Sequence, residues 1–193
     1  MQTEPLASIV GLIAGKQGKE AMPLLIAIDG AGGAGKSSLA RRIQDELVDV
    51  SIVEMDDFYC PADASIRRTW SPEEGYQKFF DWMRLRDHVL EPLQKKVSPR
   101  FQVFDWMRNQ LNGWKQVALD PVIIVEGVYA LRPELRSFYH LCLFVEAPND
   151  VRTARLRARG GSEQEIKMWQ AAESWYLINV RPQDNCDLVV LGH

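Results

Sequence analysis

The sequence is poor in cysteine, in surplus positive charge and in long apolar runs, and each shortage removes a class of function. Its three cysteines, Cys60, Cys142 and Cys186, are far apart. They match neither a metal-ligand spacing nor an even disulfide set. The formal net charge is -3. No overall basic balance is on hand to neutralise a phosphate backbone, so nucleic acid is not expected as a main partner. No apolar stretch approaches the length that crosses a bilayer, so no membrane is expected either. Met1-Gln2-Thr3-Glu4-Pro5 lacks the basic start of a secretory leader, and the expected compartment is the cytoplasm. There are no internal repeats, no low-complexity tracts and no Asn-Lys-x-Asp guanine-reading motif. What remains is a chain of 193 residues, 46% hydrophobic and 25% charged. That suits one soluble globular domain over residues 1–193, with an N-terminal helix in 1–22 packed on it.

Residues 30–37 carry the most information: Gly30-Ala31-Gly32-Gly33-Ala34-Gly35-Lys36-Ser37. This is G-x-x-x-x-G-K-[ST], the phosphate-binding P-loop. Glycines let the backbone curl so that several N–H groups point at phosphate oxygens, with Ser38 in the first turn beyond. Lys36 can reach the β- and γ-phosphates, and the Ser37 hydroxyl can hold Mg²⁺. The flanks agree with the motif. Pro23 to Ile28 is an apolar run that reads as a buried strand. Ser38 to Leu47 follows with apolar residues at 39, 43 and 47, a helical spacing.

Further strands are expected at 50–55, 102–106, 122–127, 141–146 and 187–191. Helices are expected at 6–20, at 73–96 with breaks near Asp81-Trp82 and before Pro92, at 151–159, and at 162–180. Residues 60–72 read as loop. Asn149 or Asp150 can cap the helix from Val151. Gly160-Gly161 should end it, and Ser162 with Glu165 forms a capping box for the next. Strands that alternate with helices give an α/β fold, a five-stranded parallel sheet with helices on both faces. Its site should lie beyond the carboxyl ends of the strands, where the P-loop, Asp56-Asp57 and Glu126-Gly127 converge.

Phosphoryl transfer needs a phosphate cradle, a metal, a positioned acceptor and charge neutralisation. Glu126, ending an apolar strand, is the candidate partner of Ser37 at Mg²⁺. Asp56 and Asp57 are adjacent at a strand end and point different ways; one can serve as general base and the other can cap the turn, and periodicity does not choose. Arg152, Arg155 and Arg159 share a helix face, either as a lid over the transferring phosphate in region 151–165 or as a solvated basic face. Trp106 follows Asp105, an acid beside an aromatic surface, which suits a ring-bearing or polyhydroxyl acceptor.

The chain resembles the uridine kinase–phosphoribulokinase group of P-loop kinases from about Leu24 to Gly192. The resemblance rests on the P-loop, Met55-Asp56-Asp57-Phe58-Tyr59, Val103-Phe104-Asp105-Trp106, Val125-Glu126-Gly127-Val128, the arginine helix after Val145-Glu146-Ala147, and Cys186-Asp187-Leu188-Val189-Val190. It implies Asp56 as the catalytic base and Glu126 as the magnesium-linked glutamate. It also implies Arg155 and Arg159 as lid arginines facing the phosphates, and Phe104 at the position that lines the nucleoside site; Tyr59 and Trp106 are further candidates for the acceptor site. Asp81 is the nearest match to the family's ribose-binding aspartate. Two departures stand out: the family's base-reading histidine corresponds to Asn109, and its nucleoside-site tyrosine is Phe104.

The expectation is therefore an ATP- and Mg²⁺-dependent small-molecule kinase acting on a hydroxyl, with uridine or cytidine as leading acceptor. A pantothenate-like compound, a sugar phosphate or a nucleoside monophosphate is the alternative acceptor. A non-catalytic ATP-binding regulatory module is the alternative class. ATP and the small-molecule acceptor are the expected partners, and homo-oligomerisation stays open.

Overall fold

The computed structural model describes residues 6–17 and 23–192. Five parallel strands form its centre in the order β2-β5-β1-β6-β7. They are β1 (Leu24–Asp29), β2 (Val50–Glu54), β5 (Val122–Glu126), β6 (Leu141–Glu146) and β7 (Leu188–Leu191). The three inner strands read LLIAID, VIIVE and LCLFVE, and nearly every residue in them is buried. Such unbroken apolar runs are what a sheet covered on both faces requires. Alternate side chains serve opposite layers. Ile26, Ile28 and Ile124 meet α1 (Leu6–Lys16) and α2 (Lys36–Glu46) through Ile9, Ile13, Leu39 and Ile43. Leu25, Ala27, Val125 and Phe144 join the layer that holds Tyr76 of α4 (Pro72–Lys78) and Tyr176 of α9 (Glu163–Asn179).

The expected strands and the helices around the P-loop are present within a residue or two. Residues 1–5 and 18–22 of the expected N-terminal segment lie outside the described residues. Ser162 and Glu165 do form a capping box for α9. Gly160, with φ +87°, turns the chain out of α8 (Asn149–Ala158).

Four expectations need correction. Residues 60–72 are not all loop: α3 (Ala64–Arg67) lies within them, and Pro72 opens α4 behind a capping box of Ser71 and Glu74. The helix does not break before Pro92. After α5 (Trp82–Leu85), the turn Arg86–Leu90 widens to a π-helix, and Glu91 N–H reaches back to the Arg86 carbonyl. The widened turn admits a residue with no N–H, and α6 (Glu91–Gln94) continues through it. α8 is capped by neither Asn149 nor Asp150; Pro148 takes that position, and the Asn149 side chain instead accepts from Arg152 Nη2 at 3.0 Å. Finally, β3 (Arg100–Asp105) pairs with an unexpected β4 (Gln110–Gln116) in an antiparallel hairpin. The hairpin lies over the 3₁₀ turn Met55–Phe58, where Phe58 and Phe101 rings sit 4.8 Å apart.

Asp29, the last residue of β1, is wholly buried. It accepts from the N–H groups of Gly30 (2.6 Å), Tyr129 (3.1 Å) and Leu131 (2.8 Å), and from the Tyr176 hydroxyl (2.7 Å). Burial raises its pKa, and the Leu131, Tyr176 and Gly30 hydrogen bonds and the charge of Lys36 oppose the rise. One carboxylate thus ties the start of the P-loop to the segment after β5 and to α9. Tyr176→Phe removes one of the four donors and should cost about 1–2 kcal/mol. Urea denaturation reads this directly, and an unmoved midpoint would remove the hydroxyl from the account.

Candidate active site

Parallel strands deliver their carboxyl ends to one edge, and the cleft opens there. Register sets Glu126 level with Ile28 on one side and Glu54 on the other. The loop after β1, the 3₁₀ turn after β2 and the end of β5 therefore meet. Gly32, Gly33, Lys36 and Ser37 form the P-loop side of the cleft, with Asp56, Glu126 and Arg159 also on its walls.

The loop is held from outside. Gly33 has φ +77°, and a Cβ there would lie 2.6 Å from the Arg152 carbonyl oxygen, so α8 rests on bare backbone. Arg155 donates to the carbonyls of Gly33 (3.0 Å) and Ala34 (3.5 Å). Lys36 is buried and its Nζ donates to Ala31 O at 3.1 Å. Gly35 stands at the N-cap of α2 with φ 108°. The first-turn N–H groups of α2 lack intrahelical acceptors by construction and supply a positive helix end for an anion. Within the loop Gly30 and Ala34 are buried, and Ser38, just beyond it, is exposed. Ala31 faces a neighbouring depression with Glu146, Pro148, Arg152 and Gln183.

Ser37 Oγ donates to Glu126 Oε1 at 2.7 Å. Burial raises the Glu126 pKa, while Lys36 and the Ser37 hydrogen bond pull it down. The pair fits Mg²⁺, which keeps several waters and takes only one or two protein oxygens beside phosphate oxygens. Asp56 and Asp57 part company. Asp57 is buried, with its carboxylate on Lys115 Nζ of β4 at 2.7 and 3.0 Å. Asp56 opens into the cleft. Its side chain is solvent-accessible there, and partial desolvation by the cleft walls raises its pKa, against the charges of Lys36 and Arg159.

The far wall is aromatic: Tyr59, Phe79, Phe80, Trp106, Tyr129 and Trp169. Tyr59 and Trp106 rings lie 4.6 Å apart, and Trp169 Nε1 donates to Tyr59 Oη at 3.1 Å.

Several expected residues are elsewhere. Arg155 grips the outside of the P-loop and does not line the cleft, whereas Arg159 does. The lid face of arginines is divided: Arg152 meets Glu173 at 3.4 Å. Phe104 stands behind the wall, 5.2 Å from the Tyr59 ring. Asp81 caps α5 through Arg84 N–H at 3.0 Å and pairs with the Arg84 side chain. Asn109 donates to Ala62 O at 2.9 Å and accepts from Arg67, whose guanidinium lies over the Tyr59 ring. Neither Asp81 nor Asn109 lines the cleft in this arrangement.

Sequence reasoning missed Trp169, Tyr129 and Glu173. Trp169, Glu173 and Tyr176 recur at i, i+4 and i+7 on α9, which puts them on one face. That spacing is the signal that could have found Trp169 and Glu173; Tyr129 carries no such signal.

Comparison with known proteins agrees with this fold. The model of the "Phosphoribulokinase / Uridine kinase family" matches residues 25–183. A uridine kinase of Deinococcus deserti is 29% identical over 165 residues, covering 83% of this chain and 79% of the relative. One from Alkaliphilus metalliredigens is 28% identical over 166 residues, covering 83% and 78%. Among solved structures, a possible uridine kinase from Bacillus stearothermophilus superposes with a TM-score of 0.75 at 22% identity, over 96% of both chains. A D-glycerate 3-kinase from Cryptococcus neoformans shares the fold at a TM-score of 0.58 and 12% identity, over 88% of this chain and 87% of that one. The chain belongs to the phosphoribulokinase/uridine kinase family of P-loop kinases.

Proposed function

We propose that this kinase transfers the γ-phosphoryl group of ATP, with Mg²⁺, to a hydroxyl of a small molecule, with uridine or cytidine as leading acceptor. One observation carries the reading: Lys36, the Ser37–Glu126 pair and the carboxylate of Asp56, unpaired among the described residues, share a cleft whose opposite wall is aromatic. Gly32 to Ser37 would hold the polyphosphate, and the depression beside Ala31 and Gln183 has room for the rest of the nucleotide. Bound Mg²⁺ would neutralise phosphate charge at Ser37 and Glu126. Asp56 would orient the acceptor hydroxyl and take its proton. Arg159 would add positive charge from the end of α8, while Arg155 would keep the loop in shape.

The nucleoside assignment is supported by the names of the relatives and by the half-exposed indole of Trp106 on the cleft wall, backed by the buried Tyr59 ring. A second reading, a different hydroxyl compound, is favoured by Asp81 and Asn109, whose side chains are spent on internal contacts. Discrimination against a wrong acceptor comes mainly from polar groups left unpaired, and this wall offers few. ADP release should be followed with Mg·ATP against a panel of nucleosides, nucleotides, vitamins and sugars. Release that depends on uridine or cytidine supports the nucleoside. Dependence on another compound keeps the chemistry and changes the acceptor. Release with no acceptor dependence, together with tight ATP binding, favours a regulatory module.

Glu126→Gln should raise the Mg²⁺ concentration for half-maximal rate by roughly tenfold. An unchanged requirement would remove Glu126 from the metal site.

A further inference from the structure

Glu173 is a buried carboxylate on α9 that no step above uses. It is only 5% exposed, yet it forms part of the cleft wall beside Lys36. Its Oε1 accepts from Gly32 N–H at 3.0 Å, and its Oε2 lies 3.4 Å from Arg152 Nη1. A Cβ on Gly32 would come within 2.8 Å of that Oε1, so the approach depends on glycine. Two other amides of the loop have internal acceptors: Gly30 N–H on Asp29 and Ala34 N–H on the Ala31 carbonyl. Gly32 N–H differs from both because its acceptor is an acidic side chain from a distant helix, inside the cradle that a polyphosphate would fill.

Two anions cannot share this amide cheaply. A carboxylate next to a phosphate in a partly desolvated cleft repels it, and Lys36 alone cannot neutralise both. Arg152 provides the alternative partner. Its guanidinium already faces Glu173, and its backbone rests on Gly33. The first helical turn that carries it belongs to α8, the same helix that delivers Arg155 to the loop and Arg159 to the cleft.

We propose that Glu173 is a built-in competitor for the phosphate cradle: it holds the Gly32 amide until a phosphate oxygen of ATP takes it, and it then moves fully onto Arg152. The exchange makes nucleotide entry strengthen the α8–α9 contact beside the P-loop. Glu173 is a positioning residue in this scheme and touches no reacting atom. The inference rests on the reading that the P-loop takes ATP.

The test is equilibrium binding of Mg·ATP to the purified full chain without acceptor, with a thermal melt for each variant. Glu173→Gln keeps an oxygen for Gly32 but removes the competing charge, and should bind ATP about tenfold more tightly. Glu173→Asp withdraws the carboxylate by one methylene toward α9 and should also bind more tightly, which covers a Gln variant that fails to fold. Arg152→Gln should weaken ATP binding several-fold in the wild-type background and much less in Glu173→Gln, a coupling that a double-mutant cycle reads. A purely structural clamp predicts the opposite sign, because loosening the loop weakens binding. Unchanged or weaker binding by both Glu173 variants, or strict additivity with Arg152→Gln, overturns the proposal while leaving the kinase reading intact. Failure of the wild-type chain to bind ATP overturns both.

Discussion

Lys36→Ala is expected to lower turnover with ATP by about 10³-fold or more. Its side chain is buried, and its ammonium donates to the Ala31 carbonyl of the P-loop. Three acidic side chains share the cleft with it: Asp56, Glu126 and Glu173. The charge of Lys36 lowers the pKa of each against the rise that burial causes. Truncation therefore does two things. It removes the cation that would meet phosphate oxygens, and it leaves Asp56, Glu126 and Glu173 with Arg159 on the cleft wall and Arg152 beside Glu173 as the remaining positive charges. Lys36→Arg should not restore the rate, because a planar fork cannot replace a compact ammonium on a fixed stem. Steady-state ADP release and direct ATP binding measure the two effects, and circular dichroism establishes that the variant is folded. A Lys36→Ala protein with more than a tenth of wild-type turnover would show that the P-loop does not carry the reaction.

The legible parts of this chain are those decided by local chemistry. The P-loop, the three buried strands, the capping box at Ser162 and the stop at Gly160-Gly161 each follow from a few adjacent residues, and each is present. Strand β4 was not legible. Gln110-Leu111-Asn112-Gly113-Trp114-Lys115-Gln116 has no apolar alternation, and it is exposed along nearly its whole length. It forms because β3 pairs with it, so tertiary context sets its state. The same reasoning separates the site residues. Glu126 and Asp56 lie at ends of strands, where topology alone brings them to the cleft. Asp81 and Asn109 depend on the path of connecting segments, and there Arg84, Arg67 and the Ala62 carbonyl engage them instead. Asp29 and Glu173 lie in a strand end and a helix with no motif of their own. Their partners come from distant segments: Asp29 meets the chain after β5 and Tyr176 of α9, and Glu173 meets Gly32 and Arg152.

Asp56→Asn is expected to reduce kcat by about 10²–10³-fold and to leave ATP binding within a few-fold of wild type. The two neighbouring aspartates make the comparison informative, because they differ in surroundings more than in sequence. Asp57 is anchored by Lys115, so Asp57→Asn should cost stability, with the hairpin loosened from the 3₁₀ turn, and should affect kcat less. Asp56 has no such anchor and opens toward the aromatic wall where an acceptor would lie. Its pH dependence gives a second readout. The proton-accepting form is the carboxylate, and the cleft raises the pKa of this group above the ordinary aspartate value. Activity should therefore fall on the acid side, beginning at a higher pH than an ordinary aspartate would impose, and recover as pH rises through that value. The residual activity of Asp56→Asn should lack this limb, since an amide has no proton to lose in that range. If Asp56→Asn retained full rate and Asp57→Asn lost it, the base would be Asp57, and Lys115 would then be a group that holds it ionised.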